Sequence, residues 1–400
     1  MLKNENPFEE LPEGLVDEML SHAKTVSSNL HSRFKEILER KGEIRRRLES
    51  SGDLRSYGEI DSARTYPTSA GIDGSYTIER MLSMDLACVA AVAVEGLTPP
   101  GPEKRNWPKP RYFSHIEVVR HNEDTSQVLR GISAGLELYL TAKAPHDVVF
   151  LDGSLKTPLI FLNNATEKMG TVPHTLANVF LNGKEAKNED NLMFPNFNDV
   201  INAYDEILRS ERSDKIYAAI PKYTTKNELS IKLGMDDYED RGLLNFILKS
   251  GEYIYIEPLD SSTGSSLHLN LDHIPKSYDI PESLIKKINS MIERLSSDVS
   301  VLYFRPSNFS PVFRIEVSKA VSSNKYRLRT LFEAIEIQST SLSIMEPYPL
   351  YLADRMVKHL STAIPAIRKK AFQDISENWP GDIGDVYMGM HAFRTEGGYE

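Results

Sequence analysis

Two Asp-Gly-Ser triplets, Asp73-Gly74-Ser75 and Asp152-Gly153-Ser154, each follow a run with strand character. A carboxylate at the end of a strand is held rigidly, and the glycine after it lets the chain turn away. Val148-Val149-Phe150-Leu151, just before Asp152, is a continuous apolar run of the kind found in a strand buried on both faces. Asp-Gly is also a common turn dipeptide, so a single copy carries little, whereas two copies at strand ends leave a turn role and a shared site about evenly matched. Carboxylates from neighbouring strands suit a hard divalent cation, Mg²⁺ or Mn²⁺. A pair of ions about 4 Å apart needs further acids, and Glu137 and Asp354 are the candidates on flanking helices.

Glu137 falls near the polar edge of its helix, close to Arg130 and Ser133, and periodicity alone reads it as solvated. Asp354 sits at the rim of the stripe Leu350, Ala353, Val357, Leu360, Ile364, within reach of a sheet end. His359 projects about 140° round the helix from Asp354, away from any metal that Asp354 would hold. Lys222, just past a strand end, is either a phosphate-neutralising group or an ordinary surface lysine, and Tyr348 and Tyr351 either stack on a base or simply pack against the protein. Arg355, Lys358, Arg368, Lys369 and Lys370 form a basic strip suited to phosphate contact, or equally a solvated face.

These residues need a scaffold. The 400-residue chain, 40% apolar and 26% charged, is long enough for one to three ordinary soluble domains. Its formal charge of −10 argues against a nucleic-acid binder that works through its whole surface. One cysteine, Cys88, excludes an internal disulfide and a thiolate metal cluster, which fits a reducing, cytoplasmic setting. Neither a signal peptide nor a membrane span is visible. The P-loop, Rossmann, zincin and nucleophile-elbow signatures are missing as well.

Residues 9–50 read as helix, with a basic segment at Arg40, Lys41, Arg45, Arg46 and Arg47 that could face solvent, phosphate or another subunit. Three strand signals from about Ser69 to Val119 suggest an antiparallel meander, followed by a helix from Thr125 to about Ala142 and the buried strand ending at Asp152. That order gives an α/β or α+β sheet domain. Residues 164–212 read as polar and loop-rich before a helix near Phe197–Leu208, and residues 224–300 as an insertion or subdomain. Val301–Phe304 and Val312–Val317 form a hairpin, and two helices follow, the second kinked at Pro365. The last twenty residues read as a mobile tail.

Gly71-Ile-Asp-Gly-Ser75, a glutamate in the helix before the second aspartate, Phe150-Leu-Asp-Gly-Ser-Leu155, Ile220-Pro-Lys222 and Pro347-Tyr-Pro-Leu-Tyr-Leu-Ala-Asp-Arg355 together resemble the NurA nuclease family. The likeness runs in order from about residue 68 to 372 and rests on short motifs occurring in sequence. It implies an α/β fold: an RNase H-like mixed sheet flanked by helices, with an N-terminal helical arm (1–62), a nuclease domain (63–372) carrying an insertion at about 164–300, and a C-terminal tail (373–400). It further implies single-strand endonuclease or 5′–3′ exonuclease activity on DNA with Mn²⁺ or Mg²⁺, a homodimer, and a HerA-like hexameric ATPase as partner in processing DNA ends. Asp73, Glu137, Asp152 and Asp354 would be catalytic metal ligands for two-metal phosphodiester hydrolysis. Lys222, Tyr348, Arg355 and Lys358 would contact substrate. No motif in 164–300 aligns with the family, and some members carry a histidine where this chain has Asp354 or nearby. Two other readings stay open: a non-catalytic assembly protein in which the acids serve turns, and a different RNase H-like nuclease such as a resolvase or an RNA-directed enzyme.

Overall fold

A computed structural model describes residues 11–61, 66–97, 107, 109–187, 193–222, 225–256 and 267–397. In chain order its elements are α1 Glu13–Ser21, α2 Ala23–Ser51, β1 Leu54–Ser56, β2 Ser69–Met81, β3 Asp85–Glu95, β4 Arg111–Val119, α3 Thr125–Lys143, β5 Val148–Asp152, α4 Thr157–Glu167, α5 His174–Asn182, β6 Lys184–Lys187, β7 Met193–Phe194 and α6 Phe197–Arg209. There follow β8 Ile216–Ile220, α7 Glu228–Lys232, α8 Asp240–Ile247, β9 Glu252–Ile256, α9 Glu282–Ser297, β10 Val299–Phe304, β11 Phe313–Ser318, α10 Lys319–Ser322, α11 Lys325–Gln338, α12 Tyr348–Lys358, α13 Leu360–Ser376, α14 Ile383–Gly389 and β12 Ala392–Gly397.

The chain divides into two compact units, Met1–Leu54 with Thr225–Leu248, and Arg55–Thr224 with Lys249–Glu400. In the smaller unit α2 packs on α8, with Phe34 and Phe246 in ring contact. Three arginines of its basic segment bind main-chain carbonyls elsewhere in the unit, Arg40 those of Gly234 and Leu233, Arg45 that of Ile247 and Arg47 that of Leu233, while Arg46 reaches only Gly42 of its own helix.

The larger unit is built on a mixed sheet of order β1-β9-β10-β11-β8-β5-β2-β3-β4, with β12 added beside β2. β2, β3 and β4 form the expected antiparallel meander, β10 and β11 the expected hairpin, and β5 lies parallel to both β2 and β8. Side chains alternate across a strand, and the two faces bury different sets. Ala70, Ile72, Val149 and Leu151 join the core beneath α3, which contributes Leu129, Ile132 and Leu136. Phe150, Ala218 and Ile220 join the core beneath α11 and α12, with Leu331 and Leu350. Helices on both faces explain why β3 is so rich in alanine, since close-packed layers leave little room for longer side chains. This is the mixed α/β sheet flanked by helices that the sequence indicated, and an RNase H-like core is compatible with it.

Several expectations are corrected. The 164–212 stretch is mainly helical: the end of α4, then α5, which buries Leu176, Val179 and Phe180, then α6. β9 is no subdomain strand but pairs with β10 in the main sheet. The last long helix breaks at His359, leaving Pro365 inside α13, where it removes one rung of the hydrogen-bond ladder. The C-terminal segment is not a mobile tail, because α14 and β12 follow α13 and β12 pairs antiparallel with β2 from Thr77 to Met81. β2 therefore pairs with β5 through Ser69–Ile72 and with β12 from Thr77 onward, and residues 73–76 fall in the interval between.

Candidate metal centre

Ile72 and Leu151 are the last registered pair between β2 and β5. One step further on, Asp73 and Asp152 lie side by side on adjacent parallel strands, roughly 5 Å apart by strand spacing. By parity with Phe150 and Ile220, both face α12. The glycine after each acid fixes the carboxylate: Gly74 N–H donates to Asp73 Oδ1 and Gly153 N–H to Asp152 Oδ1, both at 2.8 Å. Gly153 also adopts φ +78°, a conformation that favours glycine.

α12 brings the third acid. A Cβ on Gly71 would collide with the backbone of Pro349 and Leu350, so the missing side chain is what allows the start of α12 to lie against β2. Asp354 is on the buried side of that helix. Carboxylate oxygens of Asp73, Asp152 and Asp354 all lie within 4.8 Å of one another. Lys222, following β8, places its ammonium 2.8 Å from Asp152, 3.0 Å from Glu346 and 3.2 Å from Asp354, and Lys358 pairs with Asp354 at 2.8 Å.

The charges are strongly interdependent. Burial, then the neighbouring carboxylates of Asp152 and Glu137, hold the Asp73 carboxyl well above the ordinary aspartate range. Burial likewise raises Glu346, although Lys222 opposes it. For Asp354 burial works against the charge, but hydrogen bonds from Lys358 and Lys222 bring it below its usual value. Burial also disfavours the Lys222 ammonium, and Asp152, Glu346 and Asp354 outweigh it and push the pKa upward. The ammonium thus acts as a cation among three acids. Three hard carboxylate oxygens this close, with one acid held toward its neutral form, are the donor set expected of a divalent-cation site.

Glu137 approaches from the α3 side. It accepts from Ser133 Oγ at 3.2 Å, and a Cβ on Gly74 would collide with both side chains, so Gly74 leaves the space that its carboxylate fills. It is not one of the three clustered acids, yet it is not simply solvated, since it lines the same cleft. That cleft, about 460 Å³, is lined by Asp73, Glu137, Asp152, Asp354, Lys222 and Lys358, and further along by Tyr76, Arg130 and Phe161. Tyr348 and Arg355 are not on its wall. Arg355 is exposed and lies over the ring of Tyr351 at 5.7 Å, and His359 is exposed beyond the end of α12.

Sequence reasoning missed Glu346 and a supporting carboxylate, Glu316. The latter accepts from Ser154 Oγ (2.6 Å) and Leu155 N–H (3.0 Å), holding the loop that follows Asp152. Arg314 binds its other oxygen at 2.8 Å, and Tyr303 in turn accepts from Arg314. The signal was Arg-Ile-Glu inside an otherwise apolar strand, two opposite charges on one face. Cys88 is buried beside Ile364, its thiol pushed up to about 12 by burial, and offers no nucleophile.

This architecture defines a mixed α/β protein with an acid cluster at the ends of parallel strands. Among solved structures it matches the NurA nuclease from Sulfolobus solfataricus with a TM-score of 0.55 and 16% identity, covering 92% of this chain and all of that one. A NurA structure with manganese matches at 0.48 and 15% identity, covering 90% of this chain and 98% of that one. A NurA bound to dAMP and manganese matches at 0.45 and 14%, covering 86% and 97%. No protein-family model and no curated protein matches the chain by sequence. The fold of the chain is NurA-like.

Proposed function

We propose that this protein is a divalent-metal-dependent deoxyribonuclease that hydrolyses phosphodiester bonds. The observation that carries the reading is the convergence of Asp73, Asp152 and Asp354 within 4.8 Å, on a NurA-like fold. These three residues would hold the cation, with Glu137 completing the acid set from the α3 side. The bound metal, Mn²⁺ or Mg²⁺, supplies an activated water and neutralises charge on the phosphate. The chain's own part is to keep the acids rigid through the glycine N–H groups and to place Lys222 and Lys358 where a phosphate arrives. Manganese enters the reading because NurA structures that contain it share the architecture.

We place the catalytic domain in residues 63–372 and take single-stranded DNA as the first substrate to test. By the same family resemblance we extend the proposal to a homodimer that works in the cytoplasm with a HerA-like ATPase. Among the described residues no helix is long and apolar enough to cross a membrane.

The test is cleavage of labelled single-stranded DNA with Mn²⁺ by wild type, Asp73→Asn and Asp152→Asn. Loss of a second-sphere partner at a metal commonly costs about 10- to 100-fold, so loss of a ligand should exceed about 100-fold with circular dichroism unchanged. Folded variants that cut at the wild-type rate would overturn the proposal.

A further inference from the structure

The cleft has a second end where, among the described residues, the wall carries no acid. Along α3, Arg130, Ser133, Ala134 and Glu137 all line it, at i, i+3, i+4 and i+7, so it runs along two turns of that helix, roughly 10 Å. Arg130 is at the end remote from Glu137. Its guanidinium carbon lies 5.0 Å from the ring centroid of Phe161 and 5.8 Å from that of Tyr76. The three side chains come from α3, α4 and β2, and all are only partly buried, leaving surface open to the cleft. Tyr76 faces this wall because it shares the strand parity of Gly74, which abuts Glu137 and Ser133 of α3.

Aromatic faces beside a guanidinium are what a single-stranded nucleic acid uses: a base stacks on a ring without regard to its identity, and the cation meets the phosphate. Resting on the nuclease reading above, we propose that Tyr76, Arg130 and Phe161 form a subsite for one unpaired nucleotide of the strand being cut. Spaced at about 3.4 Å per stacked nucleotide, that nucleotide lies one to three positions from the phosphate over the acids.

The experiment combines variants with substrate deletion. Single-stranded oligonucleotides carrying one abasic residue at successive positions are cleaved by wild type, Arg130→Gln and Phe161→Ala in Mn²⁺, and binding of the same oligonucleotides in EDTA is followed by fluorescence anisotropy. Wild type should show one position where the abasic residue raises KM about 5- to 160-fold, the span of base–aromatic stacking. Phe161→Ala should raise KM similarly on intact DNA and show no further loss at that position. Both variants should bind the intact oligonucleotide more weakly yet keep the Mn²⁺-induced rise in melting temperature, which separates the subsite from the metal centre. Unchanged KM and affinity in both variants, or an abasic penalty undiminished in Phe161→Ala, overturns the subsite and leaves the nuclease reading standing. If wild type cuts no oligonucleotide, the nuclease reading falls, and weaker anisotropy binding by the variants still decides whether the subsite holds DNA.

Discussion

At the scale of single residues, the acid cluster stores a cost that a cation removes. With its carboxyl held above the usual range, Asp73 stays protonated in the folded protein at pH values where the unfolded chain has already ionised it. The folded state then binds more protons, so stability falls as pH rises from about 3.8 toward the raised folded value. On the proposed reading a divalent cation takes the place of that proton. Mn²⁺ should therefore stabilise the fold more at a pH above that window than at one inside it, by up to about 2.7 kcal/mol at a hundredfold excess over Kd. Asp73→Asn should be more stable than wild type without metal and lose the Mn²⁺ response. A response equal at both pH values, or retained in Asp73→Asn, would contradict this account. Asp73, Asp152 and Asp354 were readable because a motif at a strand end, or at the rim of a helix stripe, reports its own position. Glu137 was misjudged by periodicity because a helical wheel does not show that Gly74, on another element, leaves room for its carboxylate.

Two contacts between elements set the geometry of the cluster. Gly71 admits the backbone of Pro349 and Leu350 against β2, so Gly71→Ala must push α12 outward. Overpacking of this kind typically costs about 1–3 kcal/mol, and because α12 carries Asp354, Mn²⁺ affinity should fall with stability. Chemical denaturation and Mn²⁺ titration check both effects, and a variant with unchanged metal affinity would show that α12 tolerates displacement. Glu316 acts from β11 on the loop after Asp152. In Glu316→Gln one amide face must meet both Arg314 and the Ser154–Leu155 donors, so an N–H is turned toward another donor. Mn²⁺ affinity should drop about 10- to 100-fold, as for other supporting partners of a metal ligand, while Asp152 itself is unaltered. The strands and α3 could be read locally because their patterns are local. α5 and β12 could not: α5 is short and flanked by polar sequence, and β12 exists through pairing with β2, more than 300 residues earlier in the chain.

At the scale of the molecule, a charge of −10 and the proposed phosphate substrate are reconciled by where the cations are spent. The basic strip near the C-terminus is partly internal business: Arg368 pairs with the buried Glu79 and Lys370 with Asp374. The basic segment of α2 caps main-chain carbonyls within its own unit. The cleft itself presents Arg130, Lys222 and Lys358. Each phosphate neutralised on a single strand contributes about −0.7 to the slope of log K against log salt. Three cleft cations thus predict a slope of about −2, a loss of only about 15-fold in affinity between 50 and 200 mM salt. Anisotropy titrations of a single-stranded oligonucleotide across that range measure it directly. A slope near −6 would mean that the strip or the arm holds DNA after all. A shallow slope means that the protein alone grips its strand weakly, so that delivery falls to a partner, and addition of a HerA-like ATPase should then steepen the slope and tighten binding together.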